Sequence, residues 1–400
     1  MIQGINDSMF YKILEGSLLQ NGYSSIEDFF RVNPNYWYDE EAWKRIYDLP
    51  TISNPSRMFE QKIGNQTVPI MATYLSDDAE TPLISNEGFE KQTGDMPRMG
   101  QGLFFSTKTA EDYQRLEREI GVASANDAVY RSFVRDARNL IQGVHSQRSF
   151  TGFQIESKGS YISTKVNNNG GIANLKIDVH PVKENRKGCG GFAFAGSGKG
   201  KKFAWTSDSA CPIGDLQDMF HYGWNKHLVS ADHTRSVFRM SKTAYDLLKG
   251  HKDTKTKVAM WKSGLLVSSD NIQYYNVTDA DLAAYLNENS IPKIEVESYY
   301  GFTNVFNKET ATIEQKEISA FDTNTVILRY AGKFGEMQWA RVNNIFVNST
   351  NPMYYTENGA IAIQEEHHKK GIRYSVESLC VPVPYAIEKV LYLSINEAAV

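Results

Sequence analysis

Cysteine is scarce in this chain of 400 residues, which holds three copies at Cys189, Cys211 and Cys380. Three cysteines cannot all pair within one chain, and small secreted domains that depend on disulfides carry a denser set. The sequence also has no Cys-x-x-Cys pair and no Cys/His spacing typical of a structural zinc site. We therefore predict reduced thiols and neither a disulfide scaffold nor a bound zinc ion.

A strong excess of one charge is also missing. The 43 basic and 47 acidic residues leave a formal net charge of 43 − 47 = −4, whereas proteins built mainly to bind nucleic acid usually show a clear basic excess. No segment approaches the ~18 consecutive apolar residues of a membrane span. The start, Met1-Ile2-Gln3-Gly4, lacks the basic and apolar regions of a signal peptide. We expect a protein made in the cytoplasm that has no membrane partner.

Signatures of catalysis are absent as well. The histidines His221, His227 and His233 recur six residues apart, which does not place ligands on one helical face. The Glu-Glu-His-His run at 365–368 reads as a charged turn, because adjacent side chains point apart. The Gly/Lys-rich stretch 186–202 matches neither a Walker loop nor GxGxxG spacing, and no GxSxG elbow occurs. We predict no catalytic residue, no cofactor-binding residue, no metal-binding residue and no cofactor, hence no enzyme.

One cysteine keeps an alternative open. Cys189 lies between glycines and near Arg186 and Lys187, so its thiol could have a lowered pKa. An unreactive thiol in a loop is the commoner situation. The loop itself reads as flexible and basic, with a weaker hypothesis that Lys199, Lys201 and Lys202 touch nucleic acid or an acidic partner surface.

Helical periodicity is clearest in residues 106–148. A first helix is expected to end at Gly121 and a second to begin near Ser124. Apolar residues then recur at spacings of three and four, which predicts an amphipathic helix of about 20 residues, ~30 Å long; they are Val129, Phe133, Ala137, Ile141 and Val144. The intervening arginines read as a solvated face rather than a phosphate site; they are Arg131, Arg135 and Arg138.

Strand patterns and further helices follow in the second half of the chain. Residues 149–180 are expected to be β-structure with a hairpin turn at 167–171. Helices are expected from Pro212, from 242 to 249 with Ser241 as N-cap, and after the N-cap Thr278. Between 291 and 339 the pattern predicts a strand, a polar excursion at 307–317, a turn, a strand at 326–328 and a glycine bend.

Two N-terminal segments contain more apolar or extended sequence than they can bury locally. Residues 1–50 are rich in aromatics, which fit either a small local core or an arm that buries against a neighbouring subunit. Residues 51–105 are punctuated by proline and glycine, which forbid long helices but permit an extended two-stranded ribbon. Such a ribbon is unstable alone and should lie on another surface.

The order of these features resembles one known family, the tailed-phage major capsid proteins of the lambda-E type. The C-terminal part of the resemblance runs through Ile291-Pro292-Lys293-Ile294-Glu295-Val296, Tyr299-Tyr300, Phe321, Val326-Ile327-Leu328 and Gly335. A preceding part, in which a tryptophan and acidic residues come before a helix and a methionine-serine pair opens the next one, runs through Trp205, Asp215, Leu216, Met240, Ser241 and Tyr245.

The resemblance implies an α+β fold of the HK97 type. It places an N-terminal arm at 1–58, an extended β-hairpin called the E-loop at 59–105, and a peripheral domain with a long spine helix at 106–180. A Gly/Lys-rich insertion would follow at 181–204 and an axial α/β domain at 205–320. Residues 321–400 would return to the peripheral domain and supply C-terminal strands.

The resemblance also implies a function and partners. The chain would be a structural protein that forms pentamers and hexamers of an icosahedral head around double-stranded DNA, which it would contact non-specifically. A scaffolding protein, a portal and a decoration protein would be further partners, and the site of action would be the virion. Another phage structural component, such as a tail or portal protein, and an unrecognised α/β enzyme remain as alternatives.

Overall fold

A computed structural model describes residue 16 and residues 18–24, 42–63, 90–106, 111–112, 115, 118–119, 121–168, 174–193, 198–264, 275–307, 312–343, 353–368 and 371–398. Most of the predicted arm, the middle of the predicted E-loop and most of the first predicted helix lie outside the described residues. The chain divides into two compact units. Unit 1 comprises Met1–Glu60, Thr93–Ser149 and Glu336–Val383, and unit 2 comprises Gln61–Gln92, Phe150–Gly335 and Pro384–Val400.

Helices and strands are both abundant, so the predicted α+β class is confirmed. The α-helices of the described part are α1 (Val122–Lys158), α2 (Pro212–Asn225), α3 (Lys242–Gly250), α4 (Lys252–Ser263) and α5 (Asp279–Glu288). The strands of the first half are β1 (Tyr47–Asp48), β2 (Met58–Ile63), β3 (Glu90–Asp95), β4 (Arg98–Ser106), β5 (Ser160–Ile162), β6 (Lys176–Asp178) and β7 (Arg186–Cys189). Those of the second half are β8 (Ser236–Ser241), β9 (Lys293–Glu297), β10 (Tyr300–Asn307), β11 (Thr312–Ser319), β12 (Thr325–Tyr330), β13 (Gly335–Ala340), β14 (Met353–Thr356), β15 (Ile361–His368), β16 (Gly371–Pro384) and β17 (Leu391–Ala398).

Helix α1 confirms the predicted amphipathic helix but is almost twice as long. It has 37 residues, which corresponds to ~55 Å. The prediction of β-structure from residue 149 is wrong up to Lys158, because buried Phe150 and Phe153 extend the apolar stripe by further helical turns. The helix ends where Gly159 adopts a left-handed φ of 68°, which suits glycine.

Unit 1 is built on a six-stranded sheet. Its strand order is β1-β13-β16-β15-β14, and β4 also pairs with β16. Apolar side chains of β15 and β16 pack with those of α1 to form the core; they include Ile363, Tyr374, Val376, Ile141 and Val144. Strand β4 lies inside the interval 59–105 that was predicted as an extended hairpin, so the C-terminal part of that interval belongs to this sheet. Strands β2 and β3 form a separate two-stranded sheet.

Unit 2 is built on a five-stranded sheet of order β7-β17-β12-β8-β9. The central strand β12 is antiparallel to β17 and β8, whereas β9 and β7 pair in parallel with β8 and β17. Because Val326, Ile327 and Leu328 are fully buried, β12 needs cover on both faces and neighbours on both edges. The sheet therefore combines strands from three intervals, 181–204, 205–320 and 321–400, that the sequence resemblance assigned separately.

Local signals predicted most elements of unit 2. Ser241 Oγ accepts a hydrogen bond from Ala244 N and caps α3, and Thr278 caps α5 through Asp281 N, so both predicted caps are confirmed. The hairpin predicted near 161–179 is confirmed as the short pair β5–β6. Helix α4 was not predicted because its first two turns are dominated by lysine and threonine, which mask the apolar Val258 and Ala259.

Candidate assembly surfaces and the groups that hold them

Strands β10 and β11 form a two-stranded ribbon that the sequence did not predict; most of β11 and the last residue of β10 lie in the polar excursion expected at 307–317. Eight residue pairs are in antiparallel register, from Tyr300↔Ser319 to Asn307↔Thr312. The ribbon was missed because period-two alternation is weak in this polar segment, whereas the backbone hydrogen bonds of a ribbon do not depend on apolar side chains.

One face of this ribbon presents aromatic side chains to solvent. Phe302 is 64% exposed and Tyr300 is 41% exposed. On the opposite face, the backbone at Gly301 packs closely against the Phe150 ring of α1. A Cβ atom added at Gly301 would lie only 2.9 Å from that ring. The ribbon therefore has one anchored face and one aromatic face without cover among the described residues.

A buried ion network holds the sheet of unit 2 to the C-terminal turns of α1. The carboxylate of Glu156 accepts hydrogen bonds from Arg239 Nε at 3.1 Å and Nη2 at 3.0 Å, and from Arg329 Nε at 2.9 Å. Glu297 Oε2 lies 3.2 Å from Arg239 Nη2. Burial alone would raise the pKa of Glu156, but the charges of Arg239 and Arg329 outweigh it and lower that pKa. Glu156 is therefore ionised at neutral pH.

The geometry of this network follows from strand register. Arg239 on β8 lies opposite Ile327 on β12, and Arg329 lies opposite Val237, so the two arginines are diagonal neighbours on one face of the sheet. Sequence reasoning missed this network. The available signal was an arginine inside each of two otherwise apolar strands, since such a residue is rarely buried without a partner.

Unit 1 contains a second buried ion pair, centred on Arg148 of α1. Its Nη1 lies 2.5 Å from Glu357 Oε2, and its Nη2 donates to Ser378 Oγ at 2.8 Å and to the Ala360 carbonyl at 3.2 Å. Burial would raise the pKa of Glu357, but Arg148 outweighs that effect and holds the pKa at about 2. Helix α1 therefore carries a fully buried charge in each unit, and both charges are paired.

The segment of Trp43 packs within the chain's own unit 1. Trp43 is fully buried, and its Nε1 donates to His145 Nδ1 at 3.2 Å. Burial, followed by the charge of Arg148, lowers the pKa of His145 to about 3, so the imidazole is neutral and can accept this bond. For residues 42–48 the local-core interpretation of the N-terminal aromatics is the better one, while residues 25–41 lie outside the described residues.

The Gly/Lys-rich insertion is anchored rather than free, which corrects the prediction of a flexible loop for its described residues. Two buried carboxylates on α2 bind its backbone. Asp215 accepts from Gly190 N at 2.9 Å and from Trp205 Nε1 at 2.8 Å. Asp218 Oδ2 accepts from Lys199 N at 2.8 Å and from Gly200 N at 2.7 Å.

The candidate reactive groups do not form a catalytic site in the described part of the chain. The hypothesis of an activated Cys189 is wrong, because burial raises the pKa of its thiol to about 12. His221 and His227 are exposed, and His233 Nε2 lies 3.2 Å from Asn287 Oδ1. No group of three or more His, Cys, Asp or Glu residues that could hold a metal ion occurs among the described residues.

The run 365–368 is part of strand β15 rather than a charged turn, which corrects that prediction. Its side chains pair at a spacing of two, His367 with Glu365 and His368 with Glu366, as expected when alternate residues share a face. An apolar gap lies near this strand in the core of unit 1, and Tyr374 is the one residue of its lining whose side chain carries a polar group; the lining residues are Leu103, Phe105, Ala137, Leu140, Ile363, Tyr374 and Val376. Neither feature brings together groups that could act on a substrate.

Helix α1 is long, but neither it nor another helix in the described ranges is apolar enough to cross a membrane. No protein-family model matches the chain. No curated protein matches it in sequence.

Solved structures of phage proteins do match. A protein assigned as a prophage capsid protein of Escherichia coli CFT073 has 13% identity and a TM-score of 0.43, with 88% of this chain and 91% of that chain covered. A phage-related protein from Bordetella bronchiseptica RB50 has 11% identity and a TM-score of 0.41, with 91% and 95% covered. The procapsid of satellite phage P4 has 9% identity and a TM-score of 0.41, with 88% and 93% covered. Over most of its length, the chain is thus similar to capsid and phage-related proteins.

Proposed function

We propose that this chain is the major capsid protein of a tailed phage. Its function is self-association: subunits form pentamers and hexamers, and these close into an icosahedral shell around double-stranded DNA. The observation that carries the proposal is the ribbon β10–β11, whose aromatic face lacks cover within the described part of its own chain.

A two-stranded ribbon is marginally stable by itself in water. Further cover has to come from another surface, and covering Phe302 fully would contribute about 1.5–3 kcal/mol. A shell subunit offers such a surface on every neighbouring copy, and closed symmetry repeats the contact many times. The pair β2–β3 is a second two-stranded element of this kind, and the centre of the predicted E-loop lies between its two strands in the sequence.

The buried ion pairs support the same role. Contacts spread over many neighbours require each subunit to keep one conformation, and a buried charge that has a single set of partners penalises alternatives strongly. Glu156 and Arg148 each supply such a constraint, one in each unit. Each unit thereby gains its own constraint against alternative conformations.

The remaining parts of the proposal follow from the role. The protein is structural rather than enzymatic, is synthesised in the cytoplasm of the bacterial host and resides in the virion. A scaffolding protein directs its assembly, a portal occupies one vertex, and a decoration protein binds the outside. The proposed arm is limited to residues before 42, because residues 42–48 pack within unit 1. The proposed E-loop centres on the residues between β2 and β3.

Assembly of the purified chain tests the proposal. We expect rings or shells by negative-stain electron microscopy and multi-subunit species by light scattering. Replacing Phe302 by serine should weaken assembly at least tenfold, since 1.4 kcal/mol is a factor of ten, while circular dichroism stays unchanged. Tyr330→Ser is the matched control, because Tyr330 is an exposed aromatic of the same unit outside the ribbon. A parent chain that remains monomeric at all concentrations would refute the proposal.

A further inference from the structure

Six lysines in and around the Gly/Lys-rich insertion keep their charges available. We call them the basic face; they are Lys183, Lys187, Lys199, Lys201, Lys202 and Lys226. None of them forms an ion pair with a described residue, whereas seven other lysines of unit 2 each pair with a carboxylate, namely Lys158, Lys176, Lys242, Lys249, Lys257, Lys262 and Lys293. Lys165, Lys252, Lys316 and Lys389 of unit 2 also lack an ion pair with a described residue, so what distinguishes the basic face is clustering: five of its lysines lie within residues 183–202, and Lys226 is close enough to Lys187 for their charges to interact.

The basic face is organised by one side of helix α2. Asp215, Asp218, Tyr222 and Lys226 recur at spacings of three and four, so they share that side over ~16 Å. Asp218 fixes the backbone that carries Lys199, and the hydrogen bond of Asp215 to Gly190 fixes the other end of the insertion. These hydrogen bonds fix the backbone that carries the lysines, so less conformational entropy is lost when the lysines bind a ligand.

Lys187 shows that positive charges are brought close together here. Its Nζ lies 4.2 Å from the centre of the Tyr222 ring and 5.4 Å from that of Phe192. Burial, followed by the charge of Lys226, lowers the pKa of Lys187. Two like charges that interact in this way are stabilised by a bound anion.

The acidic groups of this region do not neutralise the basic face. Asp215 and Asp218 are buried beneath it and bind backbone N–H groups. Glu184 is exposed on the same segment, and together with burial it raises the pKa of Tyr222. The lysines thus outnumber the carboxylate that shares their surface.

We propose that the basic face binds the phosphate backbone of double-stranded DNA without regard to sequence. Phosphates on a duplex follow one another at about one charge per 1.7 Å of axis, so a cluster of lysines meets several of them in any register. Carboxylates on a protein surface rarely lie as close together as the phosphates of a duplex. Lysine is a flexible point charge, which suits contacts that must tolerate any sequence and register. The inference deepens the proposed function by giving the enclosed DNA a contact site.

Binding of a short duplex to the unassembled full chain tests this site. Fluorescence anisotropy at several salt concentrations gives the slope of log K against log salt. The triple variant Lys199→Gln/Lys201→Gln/Lys202→Gln should lower that slope by about 2.7, because each phosphate contact contributes about 0.9. A duplex of unrelated sequence should give the same values.

The matched control removes the same charge from elsewhere in unit 2. Lys165→Gln/Lys242→Gln/Lys252→Gln changes three exposed lysines and should leave the slope within about 0.9 of the parent value. Equal loss in both triple variants would overturn the site, as would an unchanged slope in the first variant or preferential binding of poly-glutamate over DNA. Because the measurement uses unassembled chain, failure of shell formation would count against the proposed function and leave this result interpretable.

Discussion

Replacing Glu156 by glutamine is expected to destabilise unit 2 by about 3–5 kcal/mol. The side chain is fully buried, and its carboxylate is shared by Arg239 and Arg329. Glutamine keeps the shape but removes the charge, so Arg329 loses the one carboxylate it contacts among the described residues. Breaking a buried pair in this way costs about 3–5 kcal/mol because an uncompensated charge remains. An effect of 4 kcal/mol corresponds to about a thousandfold change in an opening equilibrium.

Hydrogen–deuterium exchange measures this destabilisation at the strands that carry Arg239 and Arg329. Amides of β8 and β12 flank the network, and in the Glu156→Gln variant they should exchange about 150 to 5,000 times faster than in the parent protein. Amides of β15 and β16 in unit 1 serve as an internal reference. Reading the strands separately avoids assigning one unfolding free energy to a chain with two units.

Glu295→Gln is the control for this experiment. Glu295 belongs to the same network, but its side chain is 38% exposed and lies 3.5 Å from Arg239 Nη1. Solvent screens such a pair, so its removal should cost less than about 1 kcal/mol. If Glu156→Gln changed the exchange of β8 and β12 no more than Glu295→Gln does, the reasoning about the buried network would be refuted.

Two further predictions concern other buried groups. The pKa of His145 is about 3 in the folded chain and near 6.5 when unfolded, so the unfolded state binds the extra proton between these values. Stability of unit 1 is then complete above pH ~6.5 and falls by up to about 1.4 kcal/mol per pH unit on acidification; His145→Asn, followed by circular dichroism, should remove this component, and an unchanged pH dependence would contradict the assignment. Asp218→Ala should speed amide exchange at Lys199 and Gly200, which donate to that carboxylate, while Asp246→Ala on α3 should not; equal exchange in both variants would show that the insertion is held by other contacts.

The sequence predicted features that depend on neighbouring residues. The caps Ser241 and Thr278 precede their helices because a side-chain oxygen binds a nearby N–H. The apolar periodicity that Ile141 and Val144 continue predicted α1, and the run Val326–Leu328 predicted a buried strand. In each case, the energy that decides the structure comes from groups within a few positions, so the pattern is visible without the fold.

Features that need two distant segments were missed or only partly predicted. The ribbon β10–β11 is defined by backbone pairing that polar side chains do not reveal. Cys189 was a candidate nucleophile from its local neighbours, but burial against β17 makes it unreactive. The sequence showed the lysines of the insertion, but only the folded structure shows that they form no ion pair with a described carboxylate.

Sequence patterns were sufficient to predict the class of the fold, the positions of the main helices and buried strands, and a resemblance to phage capsid proteins. The folded chain was needed to show that Glu156 contacts Arg239 and Arg329, that Asp215 and Asp218 bind the backbone of the insertion, and that Phe302 lies exposed on a ribbon. The physical reason is the separation along the chain between the residues that interact. Helix periodicity and capping are set within one or two turns of chain, whereas burial of charge and exposure of an apolar face depend on strand register between segments tens to hundreds of residues apart.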